Sequence, residues 1–273
     1  MTLLIGQIGY ANCTPIFTSL KRNFDCSGYR FISGVPADLN AMLDRGEIDL
    51  SPSSSFIYGQ SPEKYYLLPG LSISSIGAVK SVFLFSRLPI EKLDKQPIGL
   101  TTESDTSVNL LKVILQKGYG FRNELQRTAL TLKEALHSFS ALLMIGDAAL
   151  RERMNSHGLY VYDLGELWYE LTGLPFVFAL WIVTQEAVAG KLQEVKDLGA
   201  RLLEAKRLAY EAYNEIAAGS EEQAWISRER LVDYWQTISY DLTAQHIEGV
   251  KRFFRFAAEL RLLPREPELR IIT

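Results

Sequence analysis

The chain has 273 residues, 47% of them hydrophobic and 22% charged, which is enough for one large or two small globular domains with a sizeable core. The formal net charge of −3 and the lack of a basic run argue against a nucleic-acid-binding surface. The two cysteines, Cys13 and Cys26, offer no disulfide framework and no metal-ligand spacing, so we expect free thiols in a reducing compartment.

The N-terminal segment MTLLIGQIGYANC has neither the basic start nor the long apolar run of a secretory signal. The longest apolar segment, Leu174 to Val183, is too short to cross a bilayer. We therefore expect a cytoplasmic protein that associates with no membrane.

The first half of the chain alternates short apolar runs with helical patterns. Strands are predicted at Leu3 to Ile8, Tyr29 to Ser33, Ile48 to Leu50, Pro97 to Leu100 and Ala141 to Ile145. Between them, Thr14 is predicted to cap a helix, Pro36 starts the next one, and Thr131 forms a capping box with Glu134. Strands that alternate with helices of this length indicate an α/β fold with parallel sheets covered by helices.

Two segments share one outline, in which a short helix, a tight break and a buried strand lead into a small or polar junction. They are DLNAMLDRGEIDLSPSS and LKEALHSFSALLMIGDAA. This likeness predicts two similar lobes, and the extended segments SVFLFS (81–86) and FVFALWIV (176–183) are candidates for the crossings between them. Lobe one would comprise residues 1–87 and 176–273, lobe two residues 88–175, and the active site would lie in the cleft between them.

From Thr184 onward the sequence is helical in pattern. A long amphipathic stripe is formed by Val188, Leu192, Val195, Leu198 and Leu202. We interpret this C-terminal segment, which carries no chemical motif, as helices packed around a lobe, because stripes at helical spacing usually face a core. A partner-binding helix is the alternative.

Hydroxyl-rich stretches are the most distinctive polar feature. They are Asn12-Cys13-Thr14, Ser51 to Ser55, Ser72 to Ser75 and Thr101 to Ser107. Most lie where a strand is predicted to pass into a helix, and helix N-termini bind anions through unpaired N–H groups and the helix dipole. Ligands of open α/β sheets bind at the carboxyl ends of the strands. The stretches therefore predict a cleft that holds carboxylates from both sides, although any one of them could be an ordinary helix cap.

No dinucleotide, phosphate-loop, zinc-protease or serine-hydrolase motif occurs in the sequence. The three histidines, His137, His157 and His246, have no partner at metal-ligand spacing, so we expect neither a metal nor another cofactor. Cys13 could act as a nucleophile, but no histidine pairs with it in the sequence. Asp147 could be a general base, or it could cap the helix that follows it.

Six segments follow one another from Gly6 to Val183: GQIGYANCTPIF, GVPADLNAMLDRGEIDLSPSSSFIY, LLPGLSISSIGAVKSVFLFS, TTESDTSVNLL, IGDAAL and YDLGELWYELTGLPFVFALWIV. Together they resemble the chorismate dehydratase family of the futalosine route to menaquinone. The resemblance implies a two-lobed fold like that of type II periplasmic binding proteins, which agrees with the two lobes expected from the residues.

The resemblance implies the conversion of chorismate into 3-[(1-carboxyvinyl)oxy]benzoate by a hydro-lyase that uses no metal, nucleotide or flavin. In the family, an Asn of the NC motif and a Ser of the SISS…SV segment are associated with catalysis, and they correspond to Asn12 and Ser81. Ala11 and Ile76 depart from the family pattern, which has a larger apolar residue and a polar one at these positions. The hydroxyl-rich segments imply substrate contacts at Ser53, Ser54, Thr106 and Ser107.

Two other functions stay open. The sister enzyme of the same pathway and fold, 1,4-dihydroxy-6-naphthoate synthase, is expected to use a histidine as base, and no histidine here lies on a hydroxyl-rich stretch. A non-catalytic protein that binds small carboxylates would share the fold and would carry an export signal or lipid anchor. Chorismate is thus the expected partner, nucleic acid and membranes are not, and the oligomeric state does not follow from the sequence.

Overall fold

The computed structural model describes residues 2–155 and 158–273. The strands are β1 (Leu3–Ile8), β2 (Tyr29–Gly34), β3 (Leu50–Ser54), β4 (Tyr65–Ser75), β5 (Val82–Ser86), β6 (Ile98–Leu100), β7 (Leu125–Arg127), β8 (Ala141–Ile145), β9 (Tyr160–Asp163) and β10 (Phe176–Thr184). The helices are α1 (Thr14–Asn23), α2 (Pro36–Asp44), α3 (Ser55–Gln60), α4 (Asp105–Val113), α5 (Leu132–Ala135), α6 (Gly146–Asn155), α7 (Leu164–Thr172), α8 (Gln185–Glu211), α9 (Tyr213–Ala218), α10 (Arg228–Trp235) and α11 (Ala244–Glu259).

The strands form two sheets of the same topology. The first sheet, with the order β2-β1-β3-β10-β4, is the centre of lobe one, and the second, with the order β7-β6-β8-β5-β9, is the centre of lobe two. In each sheet the first three strands are parallel, and the fourth, β10 or β5, runs antiparallel to both neighbours. These two strands contain the segments predicted as crossings. The two predicted α/β lobes are present, but the crossing strands make their sheets mixed rather than parallel.

The chain passes from the first sheet to the second between β4 and β5 and returns between β9 and β10. Because β5 pairs with β8 and β9, residues 82–86 belong to the second sheet. The predicted boundary between lobe one and lobe two, after residue 87, therefore lies on the C-terminal side of β5, whereas the chain changes sheets on the N-terminal side of β5. An extended apolar run does not show in sequence which of two sheets it will join.

One of the hydroxyl-rich stretches lies within a strand and not at a strand-to-helix junction. Residues 72–75 lie at the end of β4, and no helix follows them before β5. The serines that follow Leu50 extend β3 as far as Ser54, and α3 begins directly at Ser55, so the junction lies later than predicted. Both β3 and β4 pair with β10, so their backbone groups are hydrogen-bonded although the side chains are polar. The expected change from strand to helix is found at three of the four stretches.

Two predictions of helix capping can be compared with the structure, one at α5 and one at α1. The capping box at α5 is confirmed, because Thr131 Oγ1 accepts from the Glu134 N–H and Glu134 Oε2 accepts from the Thr131 N–H. The prediction that Thr14 caps α1 is wrong. Thr14 is the first residue of the helix, and its hydroxyl donates to the carboxylate of Glu222 in the C-terminal segment.

The C-terminal helices pack mainly on lobe one, with α8 against α1 and β4. Val195, Leu198 and Leu202 of α8 are fully buried, whereas Leu192 is 41% exposed. The predicted stripe is interrupted because the backbone leaves helical geometry at Lys191, where φ is −140° and the helix kinks. Although α8 is long, none of the helices in the described residues combines the length and the apolarity needed to cross a membrane.

Candidate active site

A cavity of about 70 Å³ lies between the lobes and is lined by both of them. Lobe one contributes Asn12, after β1, and Ser54, at the end of β3. Ser81 lies on the chain crossing into β5, and Ser107 lies in the first turn of α4 in lobe two. The structure thus brings four of the six predicted site residues to one cavity. Its volume is well below the 300 to 1,000 Å³ of typical ligand pockets, so a molecule of substrate size needs the lobes to move apart.

Thr106, the fifth predicted residue, holds the lobes together across this cleft. Its hydroxyl lies 2.5 Å from the Ser54 hydroxyl and accepts a hydrogen bond from the Phe56 N–H over 3.1 Å. Because the Thr106 oxygen accepts from Phe56, its own proton is available to Ser54. Thr106 is fully buried, and its hydroxyl contacts lobe one directly.

Ser53, the sixth predicted residue, is not on the cavity wall. It precedes Ser54 in β3, and successive side chains of a strand point to opposite faces of the sheet. Its hydroxyl is buried and has no hydrogen-bond partner among the described residues. The sequence could not show which of the two serines faces the cavity, because β3 was predicted to end at Leu50, before either of them.

The loop that carries Asn12 is held at its backbone. The carbonyl of Asn12 accepts a hydrogen bond from the Tyr240 hydroxyl over 2.8 Å, and the carbonyl of Ala11 accepts from Trp235 Nε1 over 2.7 Å. The side-chain oxygen of Asn12 is buried and finds no partner in the described parts of the chain. Buried amide oxygens are nearly always paired in folded proteins, so this one is available to a ligand in the cavity.

Ser81 lies in a tightly fixed turn. The preceding residue, Lys80, has a φ of 59°, in the left-handed region that is uncommon for residues other than glycine. The buried carboxylate of Asp163 accepts hydrogen bonds from the N–H groups of Val79 and Lys80 over 3.0 and 2.7 Å, and so stabilises the turn. The Ser81 side chain is buried and lines the cavity.

Ionisable groups are scarce on the cavity wall. The residues that line it include Tyr10 and Glu103 but no Lys, Arg or His of the described chain. The Tyr10 hydroxyl, from lobe one, donates to Glu103 Oε2 of lobe two over 2.9 Å, and burial and the nearby Glu103 raise the pKa of Tyr10. Ser104 caps α4 by accepting from the Ser107 N–H over 3.1 Å, and the hydroxyls of both serines lie on the cavity wall as neutral groups at the start of this helix. An anion in the cavity would be held by hydroxyls and a helix N-terminus.

Asp147 connects the lobes just outside the cavity. Its Oδ1 accepts a hydrogen bond from the Ala11 N–H over 3.1 Å, and burial raises the pKa of Asp147 to about 6. Asp147 lines a neighbouring cavity of about 520 Å³ rather than the one that holds Asn12 and Ser81. The structure therefore does not place it as a general base at the predicted site.

The remaining candidates for a nucleophile, a catalytic histidine or a metal ligand do not form a reactive site. Burial raises the pKa of the Cys13 thiol, so it is not activated as a nucleophile. His246 is buried, with Nδ1 2.8 Å from the Thr243 hydroxyl and Nε2 3.2 Å from the Ser239 hydroxyl. His137 is exposed in the turn after α5, and His157 lies outside the described residues. Across residues 2–155 and 158–273, no three His, Cys, Asp or Glu side chains converge as a metal site requires.

Sequence reasoning missed the C-terminal residues that reach the site. Trp235 ends α10 and Tyr240 follows it, and each is buried with a polar atom hydrogen-bonded to a carbonyl of the Asn12 loop. The signal was present in the sequence, since tyrosine and tryptophan carry polar atoms that need partners when buried. Their helical spacing showed only that they would face a core.

Comparison with known proteins places this geometry in context. A family model described as menaquinone biosynthesis matches residues 3–259. The chain is 33% identical to a chorismate dehydratase of Thermus thermophilus over 266 residues, which cover 92% of this chain and 93% of that one. It is 29% identical to a chorismate dehydratase of Campylobacter jejuni over 188 residues, which cover 67% of this chain and 69% of that one.

Solved structures share the fold at low sequence identity. A protein of Archaeoglobus fulgidus matches with a TM-score of 0.79 and 16% identity, over 96% of this chain and 98% of that one. The periplasmic aliphatic sulphonate binding protein of Escherichia coli matches with a TM-score of 0.71 and 16% identity, over 100% of this chain and 92% of that one. The predicted two-lobed, periplasmic-binding-protein-like α/β fold, with a helical C-terminal segment, is confirmed.

Proposed function

The chain belongs to the menaquinone biosynthesis family, and on that premise we propose that it is a chorismate dehydratase, which converts chorismate into 3-[(1-carboxyvinyl)oxy]benzoate and water. The observation that carries the proposal is the meeting of Asn12 and Ser81 on one cavity between the lobes. Both residues occupy the positions that the resemblance assigns to catalysis, and each is held in place by buried partners.

The reaction needs only modest help from the protein. Chorismate is a cyclohexadiene that becomes aromatic on losing one water, so formation of the aromatic ring supplies the driving force. The proton leaves the ring carbon that bears the ether oxygen, and hydroxide leaves the neighbouring carbon and departs as water. Positioning of the substrate and preorganised hydrogen-bond groups can supply most of the rate increase in such a site.

Asn12 is assigned to the departing hydroxyl. Its amide can donate a hydrogen bond to the hydroxyl oxygen as charge develops there, and its buried, unpaired Oδ1 can accept the hydroxyl proton. Because the loop is fixed through the Asn12 carbonyl, the side chain needs little reorganisation when the bond breaks.

Ser81 is assigned to the proton that leaves the ring. A serine hydroxyl is too weak a base to take this proton alone, so its role is to pass the proton to a carboxylate. The enolpyruvyl carboxylate of chorismate itself is the acceptor in this scheme. The hydroxyls of Ser54 and Ser107 and the N-terminus of α4 hold the carboxylates without a cationic side chain.

The proposal is tested by incubating the purified protein with chorismate and following the product by mass spectrometry. The expected result is loss of one water and the appearance of the aromatic enol ether. Protein carrying Asn12→Asp or Ser81→Ala, purified in the same way, controls for contaminating enzymes. Tight binding of chorismate without any turnover would instead favour a carboxylate-binding protein of the same fold.

A further inference from the structure

We propose that the C-terminal segment from Trp235 to Tyr240 positions Asn12 in the site, with the Trp235 indole and the Tyr240 hydroxyl acting through the backbone of the Asn12 loop. This inference rests on the proposed function and extends it to residues that never touch the substrate. The separations of 224 and 228 residues for the Trp235–Ala11 and Tyr240–Asn12 bonds show how distant these residues are from the loop in the sequence.

The segment is anchored to lobe one through the serines of β4. Ser74 and Ser239 exchange backbone hydrogen bonds of 2.8 Å, and the Ser74 hydroxyl donates to the Ser239 carbonyl over 2.9 Å. The Ser72 N–H donates to the Tyr240 carbonyl over 3.0 Å. This docking explains the hydroxyl-rich run in β4, which holds the C-terminal segment. It gives the aromatic side chains a rigid base.

Two buried donors from this segment grip consecutive carbonyls of the Asn12 loop. Trp235 Nε1 donates to the Ala11 carbonyl, and the Tyr240 hydroxyl donates to the Asn12 carbonyl, over 2.7 and 2.8 Å. Trp235 and Tyr240 are both fully buried. Because the Asp147 carboxylate holds the Ala11 N–H on the other side, the loop backbone is fixed from both lobes. The direction of the Asn12 side chain then follows from its backbone.

Tyr213 provides a matched control within the same packing layer. Its ring packs against Trp235 with 5.7 Å between centroids, and it is 7% exposed. Its hydroxyl is buried but has no hydrogen-bond partner among the described residues. Tyr213→Phe therefore removes the same atom as Tyr240→Phe while breaking no hydrogen bond that the structure shows.

The test is a double-mutant cycle on turnover of chorismate, with wild type, Tyr240→Phe, Asn12→Ala and the double variant. Tyr240→Phe is expected to lower kcat about fivefold with KM changed by less than about twofold, because one hydrogen bond that orients the Asn12 loop is lost. In the Asn12→Ala background it should change kcat by less than about twofold, since its target side chain is already absent. Tyr213→Phe should keep the wild-type kcat and KM.

Trp235→Phe keeps the proposal testable if Tyr240→Phe unfolds, because it removes the second donor to the loop. It should also lower kcat in wild type and have little further effect in Asn12→Ala, with melting curves confirming the fold of each variant. Effects of Tyr240→Phe and Asn12→Ala that simply multiply, or wild-type turnover in Tyr240→Phe, would overturn the inference. A wild type that leaves chorismate unchanged would instead defeat the proposed function itself, so the two failures are distinct.

Discussion

The backbone N–H of Ala11, in lobe one, donates a hydrogen bond to the Asp147 carboxylate of lobe two over 3.1 Å. Burial raises the pKa of this carboxyl from its ordinary value of 3.8 to about 6, although the Ala11 N–H and the nearby Arg151 oppose the change. The bond thus joins the lobes through a group that titrates close to neutral pH. It lies next to Asn12, so its protonation state bears on the stability of the loop.

Asp147 should make stability depend on pH. A carboxyl whose pKa is higher in the folded than in the unfolded state binds protons better when folded, so stability is greatest at low pH and falls as pH rises from about 4 to about 6. Asp147→Asn keeps an acceptor for Ala11 and does not titrate. Relative to wild type, the variant should gain about 1–3 kcal/mol in free energy of unfolding between pH 4 and 7.

Urea unfolding of both proteins at pH 4, 5, 6 and 7 measures this difference. Asp25→Asn serves as the control, because Asp25 is exposed and the N–H and hydroxyl of Ser27 lower its pKa instead. A difference between wild type and Asp147→Asn that stays constant over this pH range would show that Asp147 has no raised pKa.

The cavity between the lobes should open and close around its ligand. It holds about 70 Å³ in this structure, and its closure includes the contact between the hydroxyls of Ser54 and Thr106 at 2.5 Å. Hydroxyls on separate lobes can grip one molecule only when the lobes approach each other. Because chorismate does not fit this closed cavity, we expect the free protein in solution to be more open than this structure, and chorismate to lower its radius of gyration in solution scattering. An unchanged profile at saturating chorismate would contradict closure.

A cross-link gives a second measure of the same motion. Ser54→Cys combined with Thr106→Cys places two thiols where the hydroxyls already touch, close enough for a disulfide between the lobes. Oxidation should abolish turnover, because chorismate cannot reach the closed cavity, and reduction should restore it. Each single cysteine variant should respond little to the same treatment, since native Cys13 is buried.

Some strands of this fold are encoded by local sequence patterns, and others are not. β1 and β8 were predicted to the residue, because each is a mostly apolar segment followed directly by a glycine. The end of β3 was missed because Ser51 to Ser54 break the apolar pattern, although β10 pairs with them and the backbone stays extended. The extended backbone of Ser51 to Ser54 depends on pairing with a strand that is distant in the sequence, and such pairing leaves no hydrophobic periodicity in these polar residues.

The candidate site divides in a similar way. Asn12, Ser54, Ser81 and Ser107 could be named because the resemblance and the hydroxyl-rich stretches pointed to them, and they converge on one cavity. Trp235 could not, since its helical spacing predicts burial but says nothing about which carbonyl its indole N–H meets. Contacts across most of the chain length depend on the relative placement of the lobes and C-terminal helices, which no local pattern specifies.

Turnover should need no metal or dissociable cofactor. In the described residues no three potential ligand side chains converge, and the sequence lacks nucleotide-binding motifs. We expect full activity after exhaustive chelation and desalting. Activity that disappears on chelation and returns with a divalent metal ion would contradict this expectation, and zinc or magnesium added alone to untreated protein controls for inhibition by the metal.

Asn12→Asp and Ser81→Ala should separate chemistry from binding. Asn12→Asp keeps the shape of the side chain but replaces the amide donor with a carboxylate, while Ser81→Ala removes a buried hydroxyl on the cavity wall. Because the Asn12 loop is held through its backbone carbonyls, both variants should fold normally. Their single-turnover rates with chorismate should fall roughly a hundredfold or more, the scale of losing one preorganised donor or proton-transfer group.

Binding measurements on the same variants distinguish a catalytic role from a role in holding the substrate. Calorimetric affinity for chorismate should stay within about tenfold of wild type, because hydroxyls and the start of α4 hold the carboxylates independently of either residue. Ser53→Ala is a matched control for the loss of a buried serine hydroxyl, since Ser53 is not on the cavity wall and has no partner among the described residues. Near-normal rates in Asn12→Asp and Ser81→Ala would refute the proposed catalytic roles. Weak binding with an unchanged rate at saturation would make the two residues substrate anchors instead.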